Sequence, residues 1–367
     1  MQFTVSRDDL QKELHFLQGV AEKKKTIPIL SNILLSAEGD ALQLSATDLE
    51  VSLTTSCDAQ VSEVGGITVS SKKFFEIVRS LPSEDMEISG GDGGALEIRC
   101  GKSFFKLVGL PVKDFPEMPS SDFSKGIKLP KTTLKKMISR TLFAVTKEDV
   151  RYSLNGALLE MSSGTMRMVA TDAHRLAVVE YAEGSLAGGD EVRAIVPKKA
   201  LAELRDLGEE GDVYFAQDEN HLYFKVEHRV LSSRVIEGQF PAYNKVVPTE
   251  NPEKVIFGVD SMANAIRRVS ILANERSRAV KFTIISGEAT ISSSSPEMGE
   301  AQESVAVDYQ GEGLEVSFNA QYVLDFLAVN ESKQVIFHLK DDSSQGMLVP
   351  ADQEEGDYRY VVMPMRL

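Results

Sequence analysis

Apolar and polar positions cycle along the chain in one order, and the cycle runs three times. Short alternating stretches at FTVS (from Phe3), IKLP (from Ile127) and VIFG (from Val255) each lead into helical spacing. In the first helix Leu10, Leu14 and Leu17 share a face. In the second, Leu134, Met137, Ile138 and Leu142 do, and in the third Met262, Ile266, Val269 and Leu272. Ser6, Pro130 or Asp260 stands at the turn from strand to helix. Alternating strands follow: LQLSATDLEVSLTT, MRMVATDAHRLAVVEY and ATISSSSPEMGEAQESVAV. Then comes a second helix in each copy: SKKFFEIVRSL, PKKALAELRDL and NAQYVLDFLAV. Two more strands close each copy, among them FFKLVGL, LYFKVEHRVLSSRVI, and MLVPADQ followed by YRYVVMPM. Proline-containing connectors at 114–126 and 239–254 separate copies of about 120 residues, an ordinary domain size.

Composition sets bounds on this picture. The chain has 367 residues, 42% of them hydrophobic, and no stretch apolar enough to span a membrane. The N-terminus lacks secretory-signal features. Cys57 and Cys100, the only two cysteines, have no CxxC partner, so neither a disulfide framework nor a zinc site is expected, and a cytoplasmic location is.

The formal charge of −15 argues against nucleic acid until the bases are located. They gather on or beside helices: Lys23, Lys24, Lys25, Lys72, Lys73 and Arg79 in the first copy. The second copy has Lys131, Lys135, Lys136, Arg140, Lys147, Lys198, Lys199 and Arg205, and the third Arg267, Arg268, Arg276 and Arg278. Acids crowd loops such as DLGEEGD and DQEEGDY. Helices with basic faces at equivalent positions would give a positive surface that meets phosphates without reading bases. Helix-turn-helix, C2H2 and RNP signatures are absent.

One stretch looks reactive. TDAHRLAV, 171–178, sets Asp172, His174 and Arg175 beside an apolar run. A hydrolase would need a nucleophile or a second histidine, and His15, His221, His228 and His338 have no useful spacing to it. Asp172 is expected to accept backbone or arginine hydrogen bonds at a turn. No Gly-rich phosphate loop is present, so the chain is not expected to bind ATP itself. A repeat-built scaffold without a DNA role is the other reading these residues leave open.

The triplication, IPILSNILL (27–35), TDLEVSL (47–53), DVRYSLNGALLE (149–160), ATDAHRLAV (170–178) and the terminal YVVMPMRL (360–367) strongly resemble the bacterial DNA polymerase III beta subunit, the sliding clamp. The resemblance covers essentially the whole chain. It implies an α+β chain of three similar clamp domains (1–122, 123–250 and 251–367), each with two helices packed on antiparallel sheets. Two chains would form a head-to-tail dimer ring with helices lining the central hole. The implied role is a non-catalytic processivity factor that slides on duplex DNA without sequence specificity. The implied partners are a second copy, the DNA polymerase III alpha subunit, the clamp loader through its delta subunit, and other polymerases and repair proteins carrying clamp-binding peptides. No cofactor and no metal are implied.

Residue by residue, the resemblance implies a partner-peptide pocket from Leu154, Thr171, His174, Arg175, Leu176, Pro241, Val246, Tyr322, Val361, Met363, Pro364, Met365 and Arg366. Ala173 stands where the family commonly has Gly, and Lys245 where it has Arg. DNA contact falls to Lys24, Lys72, Tyr152 and Lys198. Glu148 and Ser153 depart from the expected Gln and Tyr, and Glu148 would repel phosphate. At a dimer interface Lys102, Phe105, Lys106 and Leu107 would face Ile271, Leu272, Glu300 and Glu303 of the other copy, an apolar centre with a charged rim.

Overall fold

The computed structural model describes residues 1–21, 27–91, 94–146, 150–182, 184, 191–208, 211–353 and 356–366. They form six helices of nine to fourteen residues: α1 (Arg7–Val20), α2 (Ser71–Ser80), α3 (Lys131–Thr141), α4 (Lys198–Asp206), α5 (Val259–Val269) and α6 (Ala320–Val329). Side chains fix several starts. Ser6 accepts the Asp9 amide, Ser70 the Lys73 amide, and Asn319 the amides of Gln321 and Tyr322. The third copy departs from expectation: α5 begins at Val259 after Gly258, so Asp260 lies inside the first turn, where its charge suits the helix N-terminus. Leu142 and Leu272 fall in short 3-10 turns just beyond α3 and α5.

The chain condenses into two compact bodies, residues 1–135 with 199–235, and 136–198 with 236–367. Each contains one twelve-stranded antiparallel sheet. In the first body the order is Gln2–Ser6, Asp85–Gly91, Ala95–Cys100, Ser103–Leu110, Gly65–Ser70, Asn32–Glu38, Ala41–Thr47, Val51–Glu63. Arg229–Arg234, His221–Val226, Asp212–Gln217 and Ile127–Pro130 follow. Gln2–Ser6 also pairs with Val51–Glu63, closing the first eight strands on themselves. In the second body the order is Val192–Pro197, Gly156–Ser162, Thr165–Thr171, Arg175–Ala182, Asp357–Val362, Gly346–Pro350, Gln334–Leu339, Glu253–Gly258. It ends with Gly299–Asp308, Glu288–Ser295, Ala279–Ile285 and Leu314–Asn319. The middle copy thus supplies strands to both sheets.

Helix burial follows the sequence periodicity. Leu10, Leu14 and Leu17 of α1 and Met262 and Ile266 of α5 are sealed from solvent. Charge is buried too. Arg229 is 1% exposed and grips Glu13 through Nε at 2.8 Å and Nη2 at 2.5 Å, and its guanidinium lies over Phe16. Lys131, counted above among the helix bases, is buried and donates to the Leu207 carbonyl at 2.8 Å. It therefore adds nothing to a solvent-facing basic surface.

Candidate functional site

Strand Thr165–Thr171 turns into Arg175–Ala182 over residues whose short polar side chains replace backbone partners. Asp172 Oδ1 accepts the amides of His174 and Arg175, both at 3.0 Å. The Thr171 hydroxyl donates to the Arg175 carbonyl at 2.7 Å and accepts the Ala173 amide at 3.1 Å. Ala173 sits at φ +72°, the left-handed region that favours glycine. The second Asp172 oxygen accepts Arg175 Nε at 3.0 Å. Both oxygens are committed, so Asp172 is a turn former and not a general base.

Arg175 is nearly buried, with 10% of its side chain exposed. Nη1 donates to Asp325 at 2.5 Å and Nη2 to the Phe143 carbonyl at 2.6 Å. The guanidinium lies 4.4 Å from the Tyr322 ring centroid and 5.4 Å from that of Phe143. Burial works against its charge, but the Tyr360 oxygen and the Asp325 and Asp172 carboxylates raise its pKa above the ordinary value. His174 is exposed, its ring stacked 6.4 Å from that of Tyr322. Among the described residues no group of three or more His, Cys, Asp or Glu could hold a metal.

Beside this turn lies a cavity of about 210 Å3 lined by Arg151, Leu154, Thr171, Ala173, Arg175, Leu176, Pro241, Tyr243, Val246, Val361 and Met363. Its volume is below the roughly 300–1,000 Å3 of small-molecule sites, and suits one or two apolar side chains. A larger cleft of about 810 Å3 is lined by Val5, Ala59 and Val61 beside Asp9, Asp40, Asp58 and Asp85, so four carboxylates share its apolar surface. Leu176 and Val361 are cross-strand partners and both pack into a core with Leu158, Val169, Val178, Ile195, Phe240 and Tyr243. The Tyr243 hydroxyl donates to Glu160 at 2.8 Å and accepts from Arg167 at 3.2 Å, which fixes the ring. The chain end runs on from strand Asp357–Val362. The Met363 amide donates to the His174 carbonyl at 2.9 Å and the Met365 amide to Ser317 at 2.8 Å.

Of the thirteen pocket residues expected from sequence, eight line the cavity: Leu154, Thr171, Arg175, Leu176, Pro241, Val246, Val361 and Met363. Tyr322 lies against the Arg175 guanidinium and His174 against the Tyr322 ring, and neither they nor Pro364, Met365 and Arg366 line the cavity. The other three lining residues are Ala173, named above as a departure from the family pattern, and Arg151 and Tyr243, which were missed. Tyr243 had a usable signal, because it sits in the apolar connector QFPAYNKVV next to Pro241.

The residues expected at DNA lie in varied settings. Lys24 and Glu148 fall outside the described residues. Lys72 on α2 is exposed, 4.0 Å from Glu76. Tyr152 is exposed in a 3-10 turn, with Ser153 half-buried next to it. Lys198 is half-buried, its Nζ 2.5 Å from the Val145 carbonyl, so part of its hydrogen-bonding capacity is spent on the chain itself.

Among the described residues several strands are paired on one side only over most or all of their length, including Ile127–Pro130, Val192–Pro197 and Leu314–Asn319, and two of the longer ones carry residues expected at a dimer interface. Residues 103–108 pair with Ala95–Cys100, and only Gly109 and Leu110 reach a second neighbour. Residues 299–306 pair with Glu288–Ser295, and only Val307 and Asp308 do so. Phe105 and Leu107 on the first edge are half-buried; Phe104 and Val108, missed from sequence, are 52% and 85% exposed. Lys102 precedes that strand, exposed, and Lys106 on it pairs with Glu97. On the second edge Glu300 is exposed and Glu303 holds Arg268; Ile271 nearby in sequence is 70% exposed and Leu272 half-buried.

Repeated two-helix units on antiparallel sheets, with an apolar cavity sized for side chains and an aspartate committed to a turn, define a clamp-type binding protein. Family models agree over nearly the whole chain: the N-terminal domain of the DNA polymerase III beta subunit matches residues 1–119, the central domain 128–242 and the C-terminal domain 244–366. The beta sliding clamp of Pseudomonas aeruginosa is 37% identical and that of Caulobacter vibrioides 39%, each over the whole of both chains. The crystal structure of the DNA polymerase III subunit beta from Pseudomonas aeruginosa superposes with a TM-score of 0.93, covering all of both chains. The chain belongs to the DNA polymerase III beta subunit family, the sliding clamps, and its function is that of a non-catalytic processivity factor for DNA polymerase.

Proposed function

We propose that two copies of this three-domain chain (1–122, 123–250 and 251–367) join head to tail into a ring around duplex DNA in the cytoplasm. The observation that carries this reading is the pair of half-paired strands, residues 103–108 and 299–306. Each exposes backbone donors and acceptors that a strand of a second copy would satisfy. Their charges are of opposite sign: Lys102 and Lys106 on one edge, Glu300 and Glu303 on the other, with Lys106 and Glu303 also held by Glu97 and Arg268 of their own chain. Lys24, Lys72, Tyr152 and Lys198 then face the DNA and make contacts that are weak and indifferent to sequence. Retention is topological, so weak contacts let the ring slide.

The cavity beside Arg175 takes Leu or aromatic anchors of short peptides from the polymerase alpha subunit, the loader's delta subunit, and other polymerases and repair proteins. The adaptable Met363 and the rigid Leu176 and Val361 support that use. The chain carries no P-loop, so ring opening on DNA depends on a separate ATP-driven loader. Protein loaded onto nicked circular duplex by a clamp loader with ATP should stay on the DNA through gel filtration and leave once the circle is cut. Equal retention on circular and linear DNA overturns the ring.

A further inference from the structure

We propose that Asp325, on α6 and outside the cavity lining, is a positioning residue that sets the Arg175 wall of the cavity and so its preference for apolar anchors. The inference rests on the reading of that cavity as a peptide site. Arg175 presents itself to the cavity while its guanidinium is held by Asp172 at 3.0 Å, the Phe143 carbonyl at 2.6 Å and Asp325 at 2.5 Å. Asp172 belongs to the same turn and the Phe143 carbonyl is neutral. Asp325 is the carboxylate that arrives from a distant part of the chain.

Helix α6 holds that carboxylate in place. Gln321, one turn earlier, donates to Asp325 Oδ1 at 2.7 Å, leaving Oδ2 for Arg175. Tyr322 of the same helix lies 4.4 Å from the guanidinium. One helix therefore supplies both a charge and a ring to a planar fork whose hydrogen bonds are directional. With Nε, Nη1 and Nη2 each bound to an acceptor, the head is fixed and the side chain turns chiefly its apolar stem to a ligand. Without Asp325, a nearly buried cation loses an acceptor and turns toward whatever anion the cavity can supply, taking up space meant for an apolar anchor.

The test uses the full chain, fluorescence anisotropy and two fluorescein-labelled hexapeptides. One carries Leu and Phe anchors; in the other a Glu replaces the residue beside the Leu. For Asp325→Ala the apolar peptide should bind on the order of tenfold more weakly, and the gap between the two peptides should shrink. Asp325→Asn keeps an acceptor oxygen and should fall between wild type and Asp325→Ala. Melting temperature should fall only slightly, because Arg175 keeps Asp172 and the Phe143 carbonyl, and particle mass should not change. Wild-type binding with an Asp325→Ala variant of equal affinity and unchanged peptide ratio overturns the positioning role alone. Parallel weakening of both peptides with a large fall in melting temperature overturns it in favour of a general structural role. Failure of the wild type to bind either peptide overturns the peptide reading and this inference with it.

Discussion

At 47–51 the sequence reads TDLEV and at 171–175 TDAHR, and the backbone treats the two alike. Asp48 Oδ1 accepts the amides of Glu50 and Val51 at 3.0 and 2.7 Å; the Thr47 hydroxyl donates to the Val51 carbonyl and accepts the Leu49 amide. Leu49 takes φ +77° where Ala173 takes +72°. Even the strand that pairs next is equivalent: Val51 and Ser52 face Ser233 and Ser232, as Arg175 and Leu176 face Val362 and Val361. Only the side chains differ. Val51 stands where Arg175 does, serine meets serine where Leu176 meets Val361, and Lys199 Nζ takes the free Asp48 oxygen at 2.5 Å. The Thr-Asp turn therefore belongs to the fold, and the cavity belongs to a few substitutions made on one copy of it.

The two bodies also use a buried arginine differently, and the sharpest way to break that contrast is at Glu13. Arg229 meets Glu13 in a sealed core, whereas Arg175 opens onto the cavity. Glu13→Gln should destabilise the fold by up to about 3 kcal/mol at neutral pH, because it removes the buried carboxylate that grips Arg229 through two nitrogens and leaves the more exposed Glu227, 2.9 Å from Nη1, as its remaining countercharge. Burial pushes the Glu13 pKa up, but hydrogen bonds from Arg229 and Thr55 win and leave it below its ordinary value of 4.5. Its contribution is thus complete above pH 4.5 and is lost as pH falls through the depressed value. Thermal melts from pH 7 to 3.5 check this: the wild-type melting temperature should drop more steeply with acid than that of Glu13→Gln. Parallel curves would show that the pair carries no charge-dependent stability.

Replacing the turn aspartates should separate fold from site. Asp48→Ala and Asp172→Ala are each expected to lose about 1 kcal/mol in urea unfolding, for the same amide hydrogen bonds. Only Asp172→Ala should weaken peptide binding as well. A peptide defect in Asp48→Ala would mean that the two copies are not independent.

Much of this was readable in sequence, and the limits have a physical cause. The threefold cycle, the faces of α1 and α5 and the paired Thr-Asp motifs are local patterns, set by periods of 3.6 and 2 residues. What stayed hidden depends on pairs far apart in the chain. Arg175 meets Asp325 150 residues on, and Arg229 meets Glu13 216 residues back. No spacing rule announces either. Lys131 read as a surface base because nothing in its neighbourhood shows that its ammonium turns inward to Leu207. Phe104 and Val108 were passed over because an open strand edge is a property of the whole sheet and not of the strand.

The smallest expected effect concerns the strained turn residues. Leu49→Gly and Ala173→Gly should each stabilise the fold by up to about 1 kcal/mol, by relieving a positive φ, and should raise the urea midpoint slightly. A loss at Leu49 with a gain at Ala173 would show that the half-exposed leucine packs better than its 46% exposure suggests.

The chain end is tied down by main-chain amides, Met363 to His174 and Met365 to Ser317. Such ties are blind to what hangs from the α-carbon. The side chain at 363 can therefore be replaced without unmooring the segment, and the cavity rim altered while its Asp172–Arg175–Asp325 frame stays fixed.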